Sequence, residues 1–486
     1  MLPVTRWVTL RLFDFHRLRC ALYSMFMYAQ HDFTPNFIPI QTTKRKLTSV
    51  AGLATLIEAF DQSVLKAPFN ASLPERKSSR SQGAYRLGLI QLASFMRGHD
   101  CLADLEEFRE DPMLFSLFKG ETVSPRTMGD FLRDFEPEHL EKLSALLSRQ
   151  GKSYRAQLEK MLKKQFKPQL APHLSIDSTA HLQSGVKMQG VAYNYKDEWC
   201  LDSQVIFDEL GFAWDMELRS GNTKSGVGAG VQIRRAFFSY KFQDEKYLSG
   251  DAAYCNQEVM KTCLGVGAFF TLTANQATTG WQDHIAEIEK WEPWVYSTEE
   301  LEEAFARGVT LPEIELGRFY WQPSWNEVLR LPVVVKRQKY GVEEQLQLGQ
   351  GIYKYYGVVT SLPLLSWSLQ DVIEHHNKRG NAENFIREEK YGYDLKHFPC
   401  LELKANHAFG LLALTAHNIL RWVSIHDNPS RPRFAKGLRR MFIEIPGIVV
   451  SHARLLVLRV SEAALKEVNR IREALELKPY PPVSTA

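Results

Sequence analysis

The sequence predicts an α/β fold whose first third is helical and whose strand-helix alternation is broken once by a β-rich stretch. Three observations carry this. Apolar residues recur at helical spacing over residues 48–66 and again in short amphipathic segments over residues 82–170. From about Leu174 the texture changes to short strand-like runs separated by helical ones, an order that builds α/β layers. Residues 276–350 lose that alternation: acidic stretches, Trp281, Trp291 and Trp294, and strand-like pieces such as RLPVVVKRQ read as an insertion.

A chain of 486 residues exceeds what one hydrophobic core usually supports. The expected division is a lead over 1–45, a helical region over 46–170, a first core part over 171–275, the insertion over 276–350, a second core part over 351–425 and a basic C-terminal region over 426–486. Met25 and Met27 leave residues 1–24 as an upstream start extension or an unstructured lead. Arg6, Arg11, Arg17 and Arg19 interrupt every apolar run there that could serve as a targeting or membrane segment.

In the helical region, Pro112–Phe118 is a short helix and Lys119-Gly120 its stop. Ser124-Pro125 supplies an N-cap and a first-turn proline for RTMGDFLRDF. The pair has the pattern of a helix-turn-helix with Arg126 and Thr127 opening the second helix; an ordinary helical hairpin fits equally well. Next, SIDSTAH, VAYNY, SQVIFDEL and FAWDMELRSG read as a strand meander, GAGVQIRRAFFSY as a helix, KYLSGDAAY as a strand running into a loop, and GAFFTLTAN as another strand. The pattern resumes at YKYYGVVTSL, and SLQDVIEHH leads into a helix carrying Glu383. AFGLLALTAHNILRWVSI is a buried helix of roughly 18 residues, too short and too polar for a convincing membrane span. The tail holds a basic stretch, a hairpin turning at Pro446-Gly447, and a helix from about Glu462 to Leu477.

Composition limits the function classes. With 44% hydrophobic and 24% charged residues the chain reads as a soluble folded protein rather than a disordered or fibrous one. A net charge of +4 does not announce nucleic-acid binding, so local clustering decides that question. The densest positive stretch is RPRFAKGLRR, with Arg431, Arg433, Lys436, Arg439 and Arg440, a phosphate track or a solvated turn. Six scattered cysteines without a CxxC pair suggest neither a zinc module nor a disulfide framework, and fit the cytoplasm.

Three acids stand out by position. Asp177 follows a short apolar strand, Asp251 ends the strand KYLSG, and Glu383 lies on a helix. Carboxylates presented in this way can converge at one sheet edge, where divalent cations relieve their repulsion and suit phosphoryl transfer; taken singly, each could equally be a solvated surface acid. At 100° per residue, His376, Arg379, Glu383, Arg387 and Lys390 fall within an arc of roughly 80°. A salt-bridged solvent face would look similar. His181, Tyr254 and Asn256 lie near the acids in sequence and are weaker candidates for supporting them.

His376, Arg379, Glu383 and Lys390 match the spacing of the Tyr-x2-Arg-x3-Glu-x6-Lys signature, and the chain resembles bacterial insertion-sequence DDE transposases. The setting HNKRGNAENFIREEKYGYD is similar to the branch named for insertion sequence thirteen-eighty. TSVAGLATLIEAF, SIDSTAH, GVKMQGVAYNYKDEWCLDSQVIFDELGFAWDMELRSGNTKSG, SGDAAYCN and NHAFGLLALTAHNILRW extend the resemblance over about residues 45–460. It implies an RNase H-like catalytic core with a β-rich insertion, preceded by a helical DNA-binding region. It also implies Asp177, Asp251 and Glu383 as catalytic ligands of two Mg²⁺ or Mn²⁺ ions, and Arg379 and Lys390 as grips on DNA phosphates. The expected partners are double-stranded DNA, as transposon ends and target, and a second copy in a synaptic homodimer. One position departs: the signature Tyr is His376, whose charge varies with pH, and His375 stands beside it. The tryptophans of the insertion could stack on flipped bases or be buried. The rival readings are a domesticated DNA-binding protein without catalysis and a metal-dependent nuclease of the same fold.

Overall fold

The computed structural model describes residues 41–75, 83–162, 171–340, 353–452 and 455–481. The expected lead over 1–45 lies almost entirely outside the described residues, and Lys46–Ala486 forms one compact unit.

The helical third begins after strand β1 (Lys46–Thr48) with α1 (Leu53–Gln62), α2 (Lys66–Ala71) and α3 (Ala84–Arg97), then α4 (Pro112–Leu117), α5 (Pro125–Arg133) and the long α6 (Pro137–Leu162). Local chemistry sets these boundaries. Ser124 accepts the Thr127 amide at the start of α5 with Pro125 in the first turn, and Lys119 and Gly120 both take positive φ where α4 stops. α4 packs chiefly on β1 and the turn before it, whereas α5 packs on α3, on the 3-10 turn Leu102–Glu106 and on a later core helix. The two helices therefore do not form the mutually packed pair of a helix-turn-helix.

Among the described residues, ten strands form one mixed sheet: β2 (His173–Leu182), β3 (Ala192–Tyr193), β4 (Trp199–Asp208), β5 (Ala213–Ser220), β6 (Tyr247–Gly250), β7 (Phe269–Thr273), β8 (Glu292–Pro293), β9 (Ile314–Trp321), β10 (Leu331–Lys339) and β11 (Tyr353–Thr360). Their order is β3-β4-β2-β6-β7-β11-β10-β9-β8, with β5 also on β4. β2, β6 and β7 run parallel, and every other pairing is antiparallel. The parallel joins require crossovers, supplied by α7 (Ala229–Ala236) before β6 and α8 (Gln257–Val266) before β7. The insertion read over 276–350 contributes β8, β9, β10 and α9 (Thr298–Arg307), and its strands join β7 through β11. It thus widens the same sheet instead of standing apart from it.

After β11 come α10 (Leu369–Asn377), α11 (Gly380–Gly392) and α12 (Leu403–Asp427). The last is longer than the sequence suggested and almost wholly buried, packed against α3, α5, α6 and β5. Its apolar character is that of a core helix. Asn418 fixes it to the sheet by accepting from the Ala213 amide at 2.7 Å and donating to the Ala213 carbonyl at 2.8 Å, so burial of this polar side chain is fully compensated. Where α6 crosses β5, Gly151 is required by space, because a Cβ there would lie 2.6 Å from the Trp214 ring. The hairpin of the tail joins β12 (Gly447–His452) to β13 (Leu455–Arg459), so Pro446-Gly447 opens β12 rather than forming the turn. β1 pairs with β12, and Arg472 of the last helix, α13 (Glu462–Ala474), binds Glu58 of α1 at 2.6 Å.

Candidate active site

Asp177 and Asp251 are neighbours because of strand register. Ile176 of β2 lies opposite Gly250 of the parallel β6, so the next residue on each strand is an aspartate. β6 stops there: Asp251 accepts the Ala253 amide at 2.8 Å and caps the 3-10 turn Ala252–Tyr254. The Asp177 carboxylate accepts the Ser178 amide at 2.8 Å.

Glu383 arrives from α11. The chain between His376 and Glu383 is not one helix, for α10 ends at Asn377, and α11 begins at Gly380 after Lys378 and Arg379. Bonds from the Lys378, Arg379, Asn381 and Ala382 amides to carbonyls three residues back tighten this join. The arc expected for five residues therefore divides, with His376 on α10 and Glu383, Arg387 and Lys390 on α11. Glu383 and Arg387 are exposed. Arg379 turns to Asp177, with Nη1 3.8 Å from Oδ2, and the described residues show no ion pair of Glu383 with Arg379 or Arg387 such as a salt-bridged solvent face would carry. α11 then runs alongside β2. Seven helical residues from Glu383 to Lys390 rise roughly 10.5 Å and three strand residues from Asp177 to Ala180 about 10 Å, and Lys390 Nζ donates to the Ala180 carbonyl at 2.8 Å.

The electrostatics mark this edge as crowded with negative charge. Burial raises the Asp177 pKa to about 6, with Asp251 and Glu383 adding to the rise and the Ser178 amide and Arg379 opposing it. Asp251 and Glu383 are thus both near enough for their charges to reach Asp177. They are not drawn into a tight cage: among the described residues, only Asp100, Cys101 and Asp104 bring three ligand atoms within 4.8 Å of one another. That trio is an exposed turn in which Asp104 already accepts the Asp100 and Cys101 amides. Like-charged groups facing each other stay apart, and hard oxygen donors of this kind suit Mg²⁺ or Mn²⁺.

Several sequence candidates have other positions. His376 is buried: Nδ1 lies 3.1 Å from Thr271 Oγ1, and Nε2 lies 2.9 Å from the Tyr356 hydroxyl and 3.1 Å from Thr273 Oγ1. Burial and nearby Arg379 lower its pKa to about 3, so it stays neutral around pH 7 and does not switch as its residue type suggested. It pins α10 to β7 and β11, with no surface for a phosphate. His375 is buried as well, stacked 3.9 Å from His173. His181 meets Ser203 Oγ at 2.7 Å, away from the acids. Tyr254 is buried, and Asn256 caps α8 through the Val259 amide. Trp281 is buried over Gly357, while Trp291 and Trp294 lie against Arg337 and Lys336 of β10. Arg439 departs from the expected phosphate track: it is buried and donates to the Phe95 and Met96 carbonyls, closing the end of α3. Arg126, Arg431, Arg433, Lys436 and Arg440 are exposed.

Residues 221–228, GNTKSGVG, also border the site; the sequence placed GNTKSG in a motif of the resemblance without assigning it a role. Ser178 Oγ donates to Ser225 Oγ at 2.7 Å, tying this loop to the residue after Asp177. A glycine-rich turn directly after a strand was the available signal.

No curated protein matches the chain. The family described as transposase DDE domain group 1 matches residues 34–478, nearly the whole chain, and the protein therefore belongs to this DDE transposase family.

Proposed function

We propose that the protein cuts DNA at the ends of a mobile element and joins the freed 3′ ends to target DNA, with Asp177, Asp251 and Glu383 as the catalytic acids. The observation that carries this reading is the adjacency of Asp177 and Asp251 at the ends of two parallel strands, with Glu383 near enough for its charge to reach Asp177, in a member of a DDE family. An RNase H-like core is supported by the strand order β5-β4-β2-β6-β7, three antiparallel strands followed by two parallel to the first. The Tyr-Arg-Glu-Lys signature, with His376 in the place of Tyr, and the insertion sequence thirteen-eighty branch are part of the same proposal.

Asp177, Asp251 and Glu383 would hold two Mg²⁺ or Mn²⁺ ions, which supply charge neutralisation and Lewis acidity at the phosphorus. The chain's own part is placement. β2 and β6 fix the two aspartates, and α11 sets Glu383 against them. Arg379 balances Asp177 and faces the negative phosphodiester, and exposed Arg387 adds charge on the same helix. Cleavage is an in-line displacement in which a water oxygen bonds to phosphorus as the P–O3′ bond breaks, leaving a 3′-hydroxyl and a 5′-phosphate. Joining repeats the exchange with that 3′-hydroxyl as nucleophile at a target phosphodiester. Double-stranded DNA is the substrate, and a homodimer that holds two ends together is the acting form.

The test is a supercoiled plasmid incubated with the purified protein and Mg²⁺ or Mn²⁺, beside a precleaved element end carrying a free 3′-hydroxyl. Nicking and joined products by the wild type, both lost in Asp251→Ala, are expected. Undiminished nicking by Asp251→Ala would refute the assignment, and nicking without joining would point to a nuclease.

A further inference from the structure

Successive side chains of a strand point to opposite faces of the sheet. Asp177 faces the start of α11, where Arg379 precedes the helix and Glu383 lies on it. Ser178 faces the other way, toward Tyr254 and the loop Gly221–Gly228 that joins β5 to α7. The loop thus flanks the catalytic edge on the face opposite α11.

Both ends of the loop are fixed. At its start, the Gly221 amide and the Ser220 hydroxyl donate to the Gly190 carbonyl at 3.0 and 2.9 Å. A Cβ at Gly221 would lie 2.0 Å from the Cys200 carbonyl oxygen, so the chain leaves the sheet at a point only glycine fits. At its end, Arg219 Nη1 donates to the Val227 carbonyl at 2.7 Å, with that guanidinium neutralised by Asp202. In between, Gly226 lies flat on the turn that follows Asp251, where a Cβ would meet the Ala253 carbonyl oxygen and Asn256 Nδ2 at 2.7 Å. The loop therefore touches the residues just after both aspartates.

Its chemistry is one-sided. From Leu218 to Gln243 the chain contains Arg219, Lys224, Arg234, Arg235 and Lys241 and no carboxylate. Arg219 pairs with Asp202, and Arg235 with Asp215 and Glu217. Lys224 and Asn222 are exposed on the loop itself. A short, anchored, glycine-rich turn carrying a lysine and hydroxyl donors, next to acids that act on a phosphodiester, is the arrangement by which backbone and side-chain donors cradle a phosphate.

We propose that Gly221–Gly228 is a DNA phosphate-contacting loop, in which Lys224 meets the backbone of the strand being cut on the side opposite α11, and Ser225 couples the loop to β2. This rests on the DNA-cleaving reading of the acids, and the experiment keeps the two apart. Wild type, Lys224→Ala, Lys224→Glu, Lys224→Arg and Asp251→Ala, all full-length, are compared in two assays. One is binding to a short duplex of plasmid sequence without divalent metal over a range of salt; the other is nicking of subsaturating supercoiled plasmid in Mn²⁺.

Loss of one phosphate contact lowers the slope of log affinity against log salt by about 0.9, which is about eightfold in affinity at 0.1 M salt. Lys224→Ala should show this loss and a matching fall in nicking, Lys224→Glu a larger one, and Lys224→Arg should restore both. Melting temperature should not move, since Lys224 is exposed. Wild-type slope, affinity and nicking in Lys224→Glu would overturn the loop assignment, while an inactive Asp251→Ala that binds normally leaves the cleavage reading standing. Wild-type nicking by Asp251→Ala would overturn the cleavage reading itself, whatever the lysine variants do.

Discussion

Replacing Asp177 by Asn isolates the cost of burying a carboxylate at the end of β2, with Asp251 and Glu383 adding to that cost. The Asp177 carboxyl titrates at about 6 instead of the usual 3.8, a difference of about two units. At 1.36 kcal/mol per unit this is on the order of 3 kcal/mol. Partial exposure and the lost attraction to Arg379 reduce the gain expected from the substitution to about 1–2 kcal/mol. The sign follows from proton binding. The folded protein keeps this proton more tightly than the unfolded chain, so wild-type stability falls as pH rises from about 4 to about 6, then stays level. Asparagine carries no charge at any pH. Without metal, Asp177→Asn should therefore melt with the wild type at pH 4, and above it by roughly 2 °C at pH 8. Adding Mg²⁺ should reverse the order, raising the wild-type melting temperature and leaving the variant unchanged. Differential scanning fluorimetry at both pH values, with EDTA or Mg²⁺, reads all four conditions. A gap between the two proteins that is equal at pH 4 and pH 8, or an equal Mg²⁺ response, would refute the reasoning.

Lys390→Met removes the donor from the Ala180 carbonyl and should lower stability by about 1–3 kcal/mol, seen in urea unfolding, with reduced nicking because α11 loses its tie to β2. His376→Ala leaves Thr271, Thr273 and Tyr356 without their shared partner and should cost about 2–4 kcal/mol by the same measurement. In the wild type the His376 imidazole should remain neutral from pH 5 to pH 8, as ¹⁵N NMR would report; a titration midpoint in that range would contradict its burial. Gly151→Ala drives a methyl into the Trp214 ring and should destabilise the α6–β5 contact by about 1–3 kcal/mol, visible as a lower melting temperature.

Much of the fold was legible in the sequence because its signals are local. Strand alternation around Asp177, the Ser124-Pro125 cap and the apolar run of α12 each depend on a few adjacent residues. What was not legible depends on partners far along the chain. That the strands of 276–350 continue the main sheet follows from the pairing of β11 with β7, a contact no local pattern encodes. Arg439 has the composition of a phosphate ligand, and only its distance to the Phe95 and Met96 carbonyls reveals a helix-closing role. The candidate acids were found by position and resemblance. The loop carrying Lys224 shows in the sequence only as the end of a resembling motif, because its glycines gain meaning only once Ala253 and Asn256 are seen beneath them.

The pairing of β1 with β12 has a consequence for biosynthesis. Lys46 emerges from the ribosome early, yet its partner Val449 is made about four hundred residues later. At 5–20 residues per second this is a wait on the order of 20–80 s with one strand edge open. Arg472 and Glu58 close still later. A polypeptide released by a premature stop before Gly447 has the candidate acids and the main sheet but not the clasp between β1 and β12. Synthesis past Val449 and Arg472 is thereby a condition for sealing the fold, and copies stopped before them should be open to proteolysis at β1.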